Sequence, residues 1–247
     1  MCWSGLASGA FGILGVVSAI YMYKKGWDKA LWIPILFFSL MEFLQFGLYF
    51  HLGECDVRMN QILTFLGYIH ISLQVVFINM FSMHFIPKRV RAKIYGVVYT
   101  FAFAGVIMLL MRLYPFNWAG ACEVGVSTFC GPQMCSVPGQ WHLAFEAPLN
   151  GLSALTWVGY TFMAFVLPML YGSWRMTAYH LLIGPGLASL LTNNPNEFAA
   201  VWCLISISYI LLIFITPLRR SLHVKKWYFW NYPKFKSKKS TAPDDVK

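Results

Sequence analysis

The chain has 247 residues, of which 58% are hydrophobic and only 11% are charged. A soluble domain carries about 25% charged residues, so the composition excludes an ordinary soluble protein and indicates a polytopic membrane protein. The net charge of +10 does not indicate nucleic-acid binding, because the basic residues lie between apolar runs and in the C-terminal tail, where they report membrane orientation.

Seven apolar runs approach the length of about 20 residues that a helix needs to cross a bilayer. They cover residues 4–23, 31–52, 61–86, 94–114, 150–171, 176–192 and 198–217. The sequence therefore predicts an all-α fold, a seven-transmembrane helix bundle within one domain, 1–217. The first run has no charged segment or cleavage site before it, so we interpret it as a retained helix rather than a signal peptide.

Small residues recur on one face of the first run. Gly5 and Gly9 are four residues apart, as are Ser8 and Gly12, and this spacing predicts close packing against another helix. In the sixth run, Gly184-Pro185-Gly186 predicts a kink.

The distribution of Lys and Arg predicts the orientation of the chain. With the N-terminus outside, 17 of the 19 Lys and Arg residues fall on the inner side, and only Arg58 and Arg112 fall on the outer side. The positive-inside rule therefore predicts an outer N-terminus and a cytoplasmic C-terminus, in a cell membrane that we expect to be a bacterial inner membrane.

Most of the cysteines fall on the predicted outer side. They are Cys2 at the N-terminus, Cys55 in the loop after the second run, and Cys122, Cys130 and Cys135 in the outer segment 115–149. On an oxidising side, disulfides are the favoured interpretation, with one bridge expected from the Cys55 loop to the long segment and an odd thiol left over. Zinc binding, and a redox or lipid-attachment role for Cys2, are the alternatives.

The hairpin formed by the second and third runs carries the most unusual polar residues. Glu42 and His70 each lie 14 positions from Asp56, and Gln45 and Gln74 follow them one turn later. Residues equally far from a turn lie at equal depth, so we expect Glu42 and His70 to meet near the middle of the membrane. A charged group there costs roughly 2.5–3.5 kcal/mol, which favours a functional site, although a hydrogen bond that merely locks two helices is the alternative.

Three further polar residues lie towards the outer side. His142 and Glu146 are four residues apart and would share a face if that piece were helical, and Glu197 precedes the seventh run. Each has a simpler interpretation, a solvated pair for the first two and a helix-start acid for Glu197. With Glu42 and His70 they form a candidate ligand set for iron, zinc, manganese or copper. A retinal Schiff base is excluded, since the seventh run has no lysine.

The segment from residue 218 to 247 reads as a cytoplasmic tail. Its basic and aromatic part, Arg219–Lys239, is expected to bind the anionic inner leaflet of the bilayer, and residues 240–247 are expected to be disordered.

Several short motifs together carry a family resemblance over about residues 1–215. They are the N-terminal Met-Cys-Trp-Ser, Glu42-Phe-Leu-Gln45, Tyr68-Ile-His70, Trp118-Ala-Gly-Ala-Cys122, Trp141-His142 with Glu146, Pro148-Leu-Asn-Gly151 and Asn194-Pro-Asn-Glu197. In these the chain resembles an uncharacterised bacterial integral-membrane family, the domain of unknown function DUF5765. The resemblance implies a membrane fold and an acidic residue at position 146, and it implies no reaction.

Two functions from different classes remain open. The first is a metal-dependent membrane enzyme acting on a lipid-like or small hydrophobic substrate, with Glu42 and His70 as ligands or acid–base groups. The second is a proton- or metal-linked transporter or channel in which the same pair titrates. A receptor or assembly subunit without catalysis is a third possibility.

Overall fold

The computed structural model describes residues 4–206 and 208–231, which fold mainly into helices. These are α1 (Gly5–Lys24), α2 (Lys29–Leu48), α3 (Arg58–Ser82), α4 (Lys88–Met111), α5 (Ser153–Leu170), α6 (174–191), α7 (Phe198–Ile205), α8 (Ser208–Phe214) and α9 (Thr216–Leu222). Short 3-10 turns lie at Met83–Phe85 and Tyr228–Asn231. The predictions for Cys2 and for the end of the tail lie outside the described residues.

All seven predicted runs contain helix, and five helices are long and apolar enough to cross a membrane. These are Gly5–Lys24, Lys29–Leu48, Arg58–Phe85, Lys88–Met111 and Ser153–Leu170. Phe198–Phe214 and Thr216–Leu222 pass the same test as a pair, but they are bent by 100° to each other. α6 is not in this group, and it carries Arg175, His180 and the Gly184-Pro185-Gly186 break. At that break the helix continues as a π-helical turn, Leu182–Gly186.

α1 and α2 pack closely along the small-residue face of α1, as the spacing predicted. A Cβ atom on any of four glycines in α1 would press on a side chain of α2 or of Tyr49, the residue that follows it. The opposing pairs are Gly5 with Tyr49, Gly9 with Phe46, Gly12 with Phe43, and Gly15 with Ser39. The pairs run in opposite directions along the two chains, so the helices are antiparallel, and the absence of side chains on α1 lets the aromatic residues of α2 fill the gap.

The predicted outer segment contains a small sheet, which corrects the all-α prediction. β1 (Cys135–Pro138) pairs antiparallel with β2 (Leu143–Glu146). Between them lies a tight turn in which the N–H of Gly139 donates to the carbonyl of His142 over 2.8 Å. Pro138 and Gly139 favour such a turn, and the short run Leu143–Glu146 supplies too few residues for a helix.

One disulfide and one buried asparagine fix this hairpin next to the helices, and a second disulfide closes the outer segment before it. Cys55 is bonded to Cys135, and Cys122 is bonded to Cys130. The first bond confirms the expected bridge between the Cys55 loop and the long segment. Asn60 at the start of α3 accepts from the N–H of Ser136 over 2.8 Å and donates to its carbonyl over 2.9 Å. We call this end of the molecule the disulfide end.

The start of the tail closes the opposite end. The indole N–H groups of Trp227 and Trp230 donate to the carbonyls of Leu170 and Tyr171, both over 3.1 Å. Gly172 has a φ of +102°, and the two tryptophan rings occupy the space that a Cβ on it would need. This part of the tail therefore packs under α5, and its binding to a lipid leaflet stays a prediction.

Candidate functional site

Glu42 lies in the second half of α2, and only 2% of its surface is exposed. The Ser8 hydroxyl of α1, on the small-residue face, donates a hydrogen bond to the carboxylate. The other carboxylate oxygen, Oε2, has no hydrogen-bond partner among the residues that the structure describes. Most buried polar groups are paired, so a buried carboxylate oxygen without a partner needs an explanation.

Gln45, one turn further along α2, connects this acid to the hairpin at the disulfide end. Its Oε1 lies 3.0 Å from Nε2 of His142, and the Tyr49 hydroxyl lies 2.7 Å from Nδ1 of the same ring. Because the amide oxygen only accepts, Nε2 carries the proton in this arrangement and Nδ1 accepts from Tyr49. Burial lowers the pKa of His142 from 6.5 to about 4, although the charge of Glu197 acts in the opposite direction.

Glu197 holds the hairpin turn in place from the other side. It is fully buried, and its Oε1 accepts from the backbone N–H groups of Trp141 and His142, while Oε2 accepts from the Thr192 hydroxyl over 2.7 Å. Burial acts to raise the pKa of Glu197, but the bond from Thr192 and those from the backbone of residues 140–142 outweigh it and lower the pKa. The residue therefore stabilises the turn that places His142.

This role corrects the helix-start interpretation of Glu197. The residue occupies the position before α7, but its side chain makes no capping hydrogen bond to that helix. The carbonyl of Asn194 accepts the N–H groups of Glu197 and Phe198, both over 3.1 Å, so the entry to α7 is closed by backbone. The carboxylate is therefore left to bind the hairpin.

His70 does not meet Glu42, which corrects the predicted pair. Its Nε2 lies 2.8 Å from the carbonyl oxygen of Phe37, and its ring stacks on the Phe37 ring at 4.0 Å. Phe37 lies more than one helical turn before Glu42, and no hydrogen bond between Glu42 and His70 occurs within the described parts of the chain. His70 joins α3 to α2, which is the structural role weighed as the alternative.

Glu42 and His70 do not lie at equal depth, because the loop is not centred on Asp56. α2 ends at Leu48 and α3 begins at Arg58, so the midpoint between the helices is Gly53 rather than Asp56. Counted from Gly53, Leu36 lies as far along α2 as His70 lies along α3. Leu36 directly precedes Phe37, whose carbonyl His70 contacts. Tyr49 and Leu52 belong to the apolar run but pack under the hairpin rather than extending α2.

His142 and Glu146 are separated by the strand between them. Residues 143–146 are extended, and Glu146 pairs with Cys135 at the far end of the sheet from the turn. At about 3.3 Å per residue the two side chains cannot share a small site. Within residues 4–206 and 208–231, no three His, Cys, Asp or Glu side chains are grouped so that they could hold a metal ion. The five predicted ligands are therefore not assembled, and metal-dependent catalysis stays a prediction.

Two small cavities adjoin the site. The first is lined by Glu42 and Ser39 of α2 with Cys203 and Ser206. The second is lined by Gln74, Tyr160, His180 and Tyr209, and it shares Phe38, Cys203 and Ser206 with the first. Each offers about 10 Å³ to the centre of a water molecule, close to what one water needs. We call them the Glu42 cavity and the His180 cavity.

The comparisons with known proteins decide the family. The chain matches the family of unknown function DUF5765 over residues 6–223. The chain belongs to the DUF5765 family. Neither a curated protein nor a solved structure matches it. The DUF5765 match covers both cavities and the hairpin, so the site lies entirely within the family region.

Sequence reasoning missed several members of this DUF5765 site. The small-residue spacing predicts only a packing role for Ser8, and no sequence pattern predicts that Tyr49 or Thr192 belongs to the site. Cys203, which lies in the seventh apolar run, accepts a hydrogen bond from Gln74 over 3.2 Å. Gln74 in turn accepts from the Tyr160 hydroxyl over 2.6 Å. These contacts join different helices, and no spacing within a single helix could have indicated them.

Proposed function

We propose that the chain is a seven-span membrane protein with an outer N-terminus and a cytoplasmic C-terminus. Five helices have the length and composition of spans. Large apolar side chains stand fully outward on them, such as Leu6 at 81% and Ile107 at 60% exposure, as a lipid-facing surface requires. Both disulfides lie at the end that the positive-inside rule places outside, where thiols oxidise.

Within this membrane protein, Glu42 takes up and releases a proton, so that the protein conducts protons or couples their movement to transport. The observation that carries the proposal is the free Oε2 of a buried carboxylate beside a cavity of water size. A carboxylate that served only to lock helices would have both oxygens paired. Water in the Glu42 cavity would accept the proton that the carboxylic acid releases.

Gln45, His142 and Tyr49 provide a polar route from Glu42 to the disulfide end. Gln45 Nε2 has no hydrogen-bond partner within the described segments and lies on the same face of α2 as Glu42. His142 is bound to Gln45 on one side and to the partly exposed Tyr49 hydroxyl on the other. A proton entering from the outside would therefore meet hydrogen-bonding groups along the way to Glu42.

The cavity size favours this function over the enzyme hypothesis. A drug-sized or lipid-like substrate needs roughly 300–1,000 Å³ of enclosed space. The Glu42 and His180 cavities each hold about one water molecule, which suits proton transfer.

The test is proton flux in liposomes that contain the purified protein and a trapped pH-sensitive dye. A potassium gradient with valinomycin sets the membrane potential. We expect the wild type to acidify or alkalinise the interior faster than empty liposomes, and Glu42→Gln to lose this flux. The matched control is Glu54→Gln, which removes an exposed acid in the loop after α2. Equal flux in the wild type and Glu42→Gln would contradict the proposal, as would a wild type no faster than empty liposomes.

A further inference from the structure

His180 is a buried, ionisable residue outside the hairpin site. It lies near the centre of α6 and is 3% exposed. Its ring packs against those of Phe165, Trp202 and Tyr209, with centroids 4.8, 5.3 and 5.6 Å away. Within the described part of the chain, its ring nitrogens have no hydrogen-bond partner. A histidine that served only to fill the core would use at least one nitrogen to bond a neighbour, as His70 does.

The polar groups around His180 converge on the His180 cavity. The Tyr209 hydroxyl lines this cavity and has no hydrogen-bond partner among the described residues. The Tyr160 hydroxyl, Gln74 and Cys203 form a hydrogen-bonded chain along its other wall. A water molecule needs two to four polar partners, and these groups supply them. The other ionisable residues that line the cavity are Cys203, Tyr160 and Tyr209, and no Asp, Glu, Lys or Arg is among its described lining residues.

The two cavities meet at a common wall. Phe38, Cys203 and Ser206 line both of them, with Glu42 on one side and His180 on the other. The thiol of Cys203 and the hydroxyl of Ser206 are the polar groups of this common wall, through which water in one cavity can be linked to water in the other.

We propose that His180 is a second proton-binding residue, reached from Glu42 through water held in the two cavities. The inference rests on the proposed proton-linked function of Glu42 and names the residue that receives its proton. The carboxylic acid of Glu42 gives a proton to water in the Glu42 cavity, this water passes a proton to water in the His180 cavity, and the second water gives one to the imidazole. Glu42 ends as a carboxylate, His180 as an imidazolium, and the water is unchanged. The imidazolium then releases its proton towards the opposite end of the molecule.

Gly184 is what permits this placement of His180. A Cβ on Gly184 would clash with the indole nitrogen of Trp202 and would lie 3.2 Å from Cδ2 of His180. The π-helical turn at the Gly-Pro-Gly break therefore brings Trp202 and His180 together beside the cavity. The Gly-Pro-Gly break, predicted from the sequence as a kink, thus positions His180 beside the cavity.

The experiment compares proton flux in liposomes for the wild type, His180→Gln and His70→Gln. His70→Gln is the matched control, because it alters a buried histidine that lines neither cavity and retains a donor for the Phe37 carbonyl. We expect His180→Gln to lower the flux roughly 100-fold, the scale of a lost proton-transfer group, and His70→Gln to leave it near the wild-type rate. Wild-type flux in His180→Gln would overturn the inference, and so would an equal loss in both variants.

A second measurement separates failure of this inference from failure of the proposed function. Nitrogen-15 NMR of histidine-labelled protein in liposomes follows the imidazole signals from about pH 8 to about pH 3. The signal that disappears in His180→Gln should change with pH in the wild type, and it should still change in Glu42→Gln. If the wild type conducts no protons, the proposed function fails, and a titrating His180 signal still supports a proton-binding residue there. A His180 signal that stays constant over this range would overturn the inference.

Discussion

The Nε2 atom of His142 lies 3.0 Å from Oε1 of Gln45, although 97 residues separate the two in the chain. This bond joins a hairpin held by a disulfide to the helix that carries Glu42. The state of the hairpin and the surroundings of the buried acid are thereby coupled. Structural changes at the disulfide end should therefore alter the surroundings of Glu42 more than changes at the opposite end of the molecule do.

The stability of the folded protein should fall in mild acid because of His142. Burial holds its pKa at about 4, below its unfolded value of 6.5, so the unfolded chain binds the extra proton between these values. The stabilisation is complete above about pH 6.5 and is lost as the pH falls towards 4, by about 3 kcal/mol at ~1.4 kcal/mol per pKa unit. Thermal unfolding in detergent across this range measures it.

His142→Gln provides the control for that pH dependence. The variant should be less stable than the wild type at neutral pH, because the bonds to Gln45 and Tyr49 are weakened. Its stability should depend less on pH between 4 and 6.5, since the titrating ring is gone. His223, whose pKa burial also lowers to about 4, contributes equally to both proteins and cancels in the comparison. Parallel curves for the two proteins would show that His142 does not titrate on unfolding.

Removing the Glu197 side chain should loosen the hairpin. Glu197→Ala leaves the part-buried backbone N–H group of Trp141 and the buried one of His142 without their acceptor. Each unsatisfied buried donor costs about 1–3 kcal/mol, so we expect a loss of roughly 3 kcal/mol in unfolding free energy. Glu146→Ala, at the other end of β2, should cost less than about 1 kcal/mol, because this acid makes none of these bonds. Equal losses in the two variants would contradict the role given to Glu197.

Much of the architecture follows from the sequence because it depends on local patterns. Apolar length located the helices, the Gly5–Gly9 spacing predicted the α1–α2 contact, and the compartment argument predicted a bridge from the Cys55 loop. Glu42 is an acid within an apolar run, whereas His142 and Glu197 are polar residues towards the predicted outer side. All three lie in or beside the site, since unpaired burial of such groups is costly wherever they occur.

The parts that the sequence did not predict depend on contacts between distant segments. Tyr49 and Leu52 pack against the hairpin residues, and their apolar character extends the second run beyond the true end of α2. The resulting error of a few residues at the loop centre was enough to pair Glu42 with the wrong histidine. The true partner of the α2 polar face is His142, whose position is set by the sheet, the disulfide and Glu197 together.

The membrane orientation can be tested by fusing reporters to the C-terminus. A reporter that is active only in an oxidising compartment should stay silent there, whereas one that is active only in the cytoplasm should give a signal. The expectation follows from the 17 Lys and Arg residues on the predicted inner side against two on the outer side. A signal from the first reporter would reverse the orientation and would place both disulfides on the reducing side.

The central claim is that Glu42 exchanges a proton while buried, and infrared spectroscopy of the carboxyl C=O band tests it most directly. Difference spectra of the wild type in liposomes, recorded between acidic and alkaline pH, should contain a band from a protonated carboxyl group in apolar surroundings. This band should be absent in Glu42→Gln and unchanged in Glu54→Gln. If no pH-dependent band disappears with Glu42→Gln, the acid does not change its protonation state, and the account of a proton-linked site is wrong.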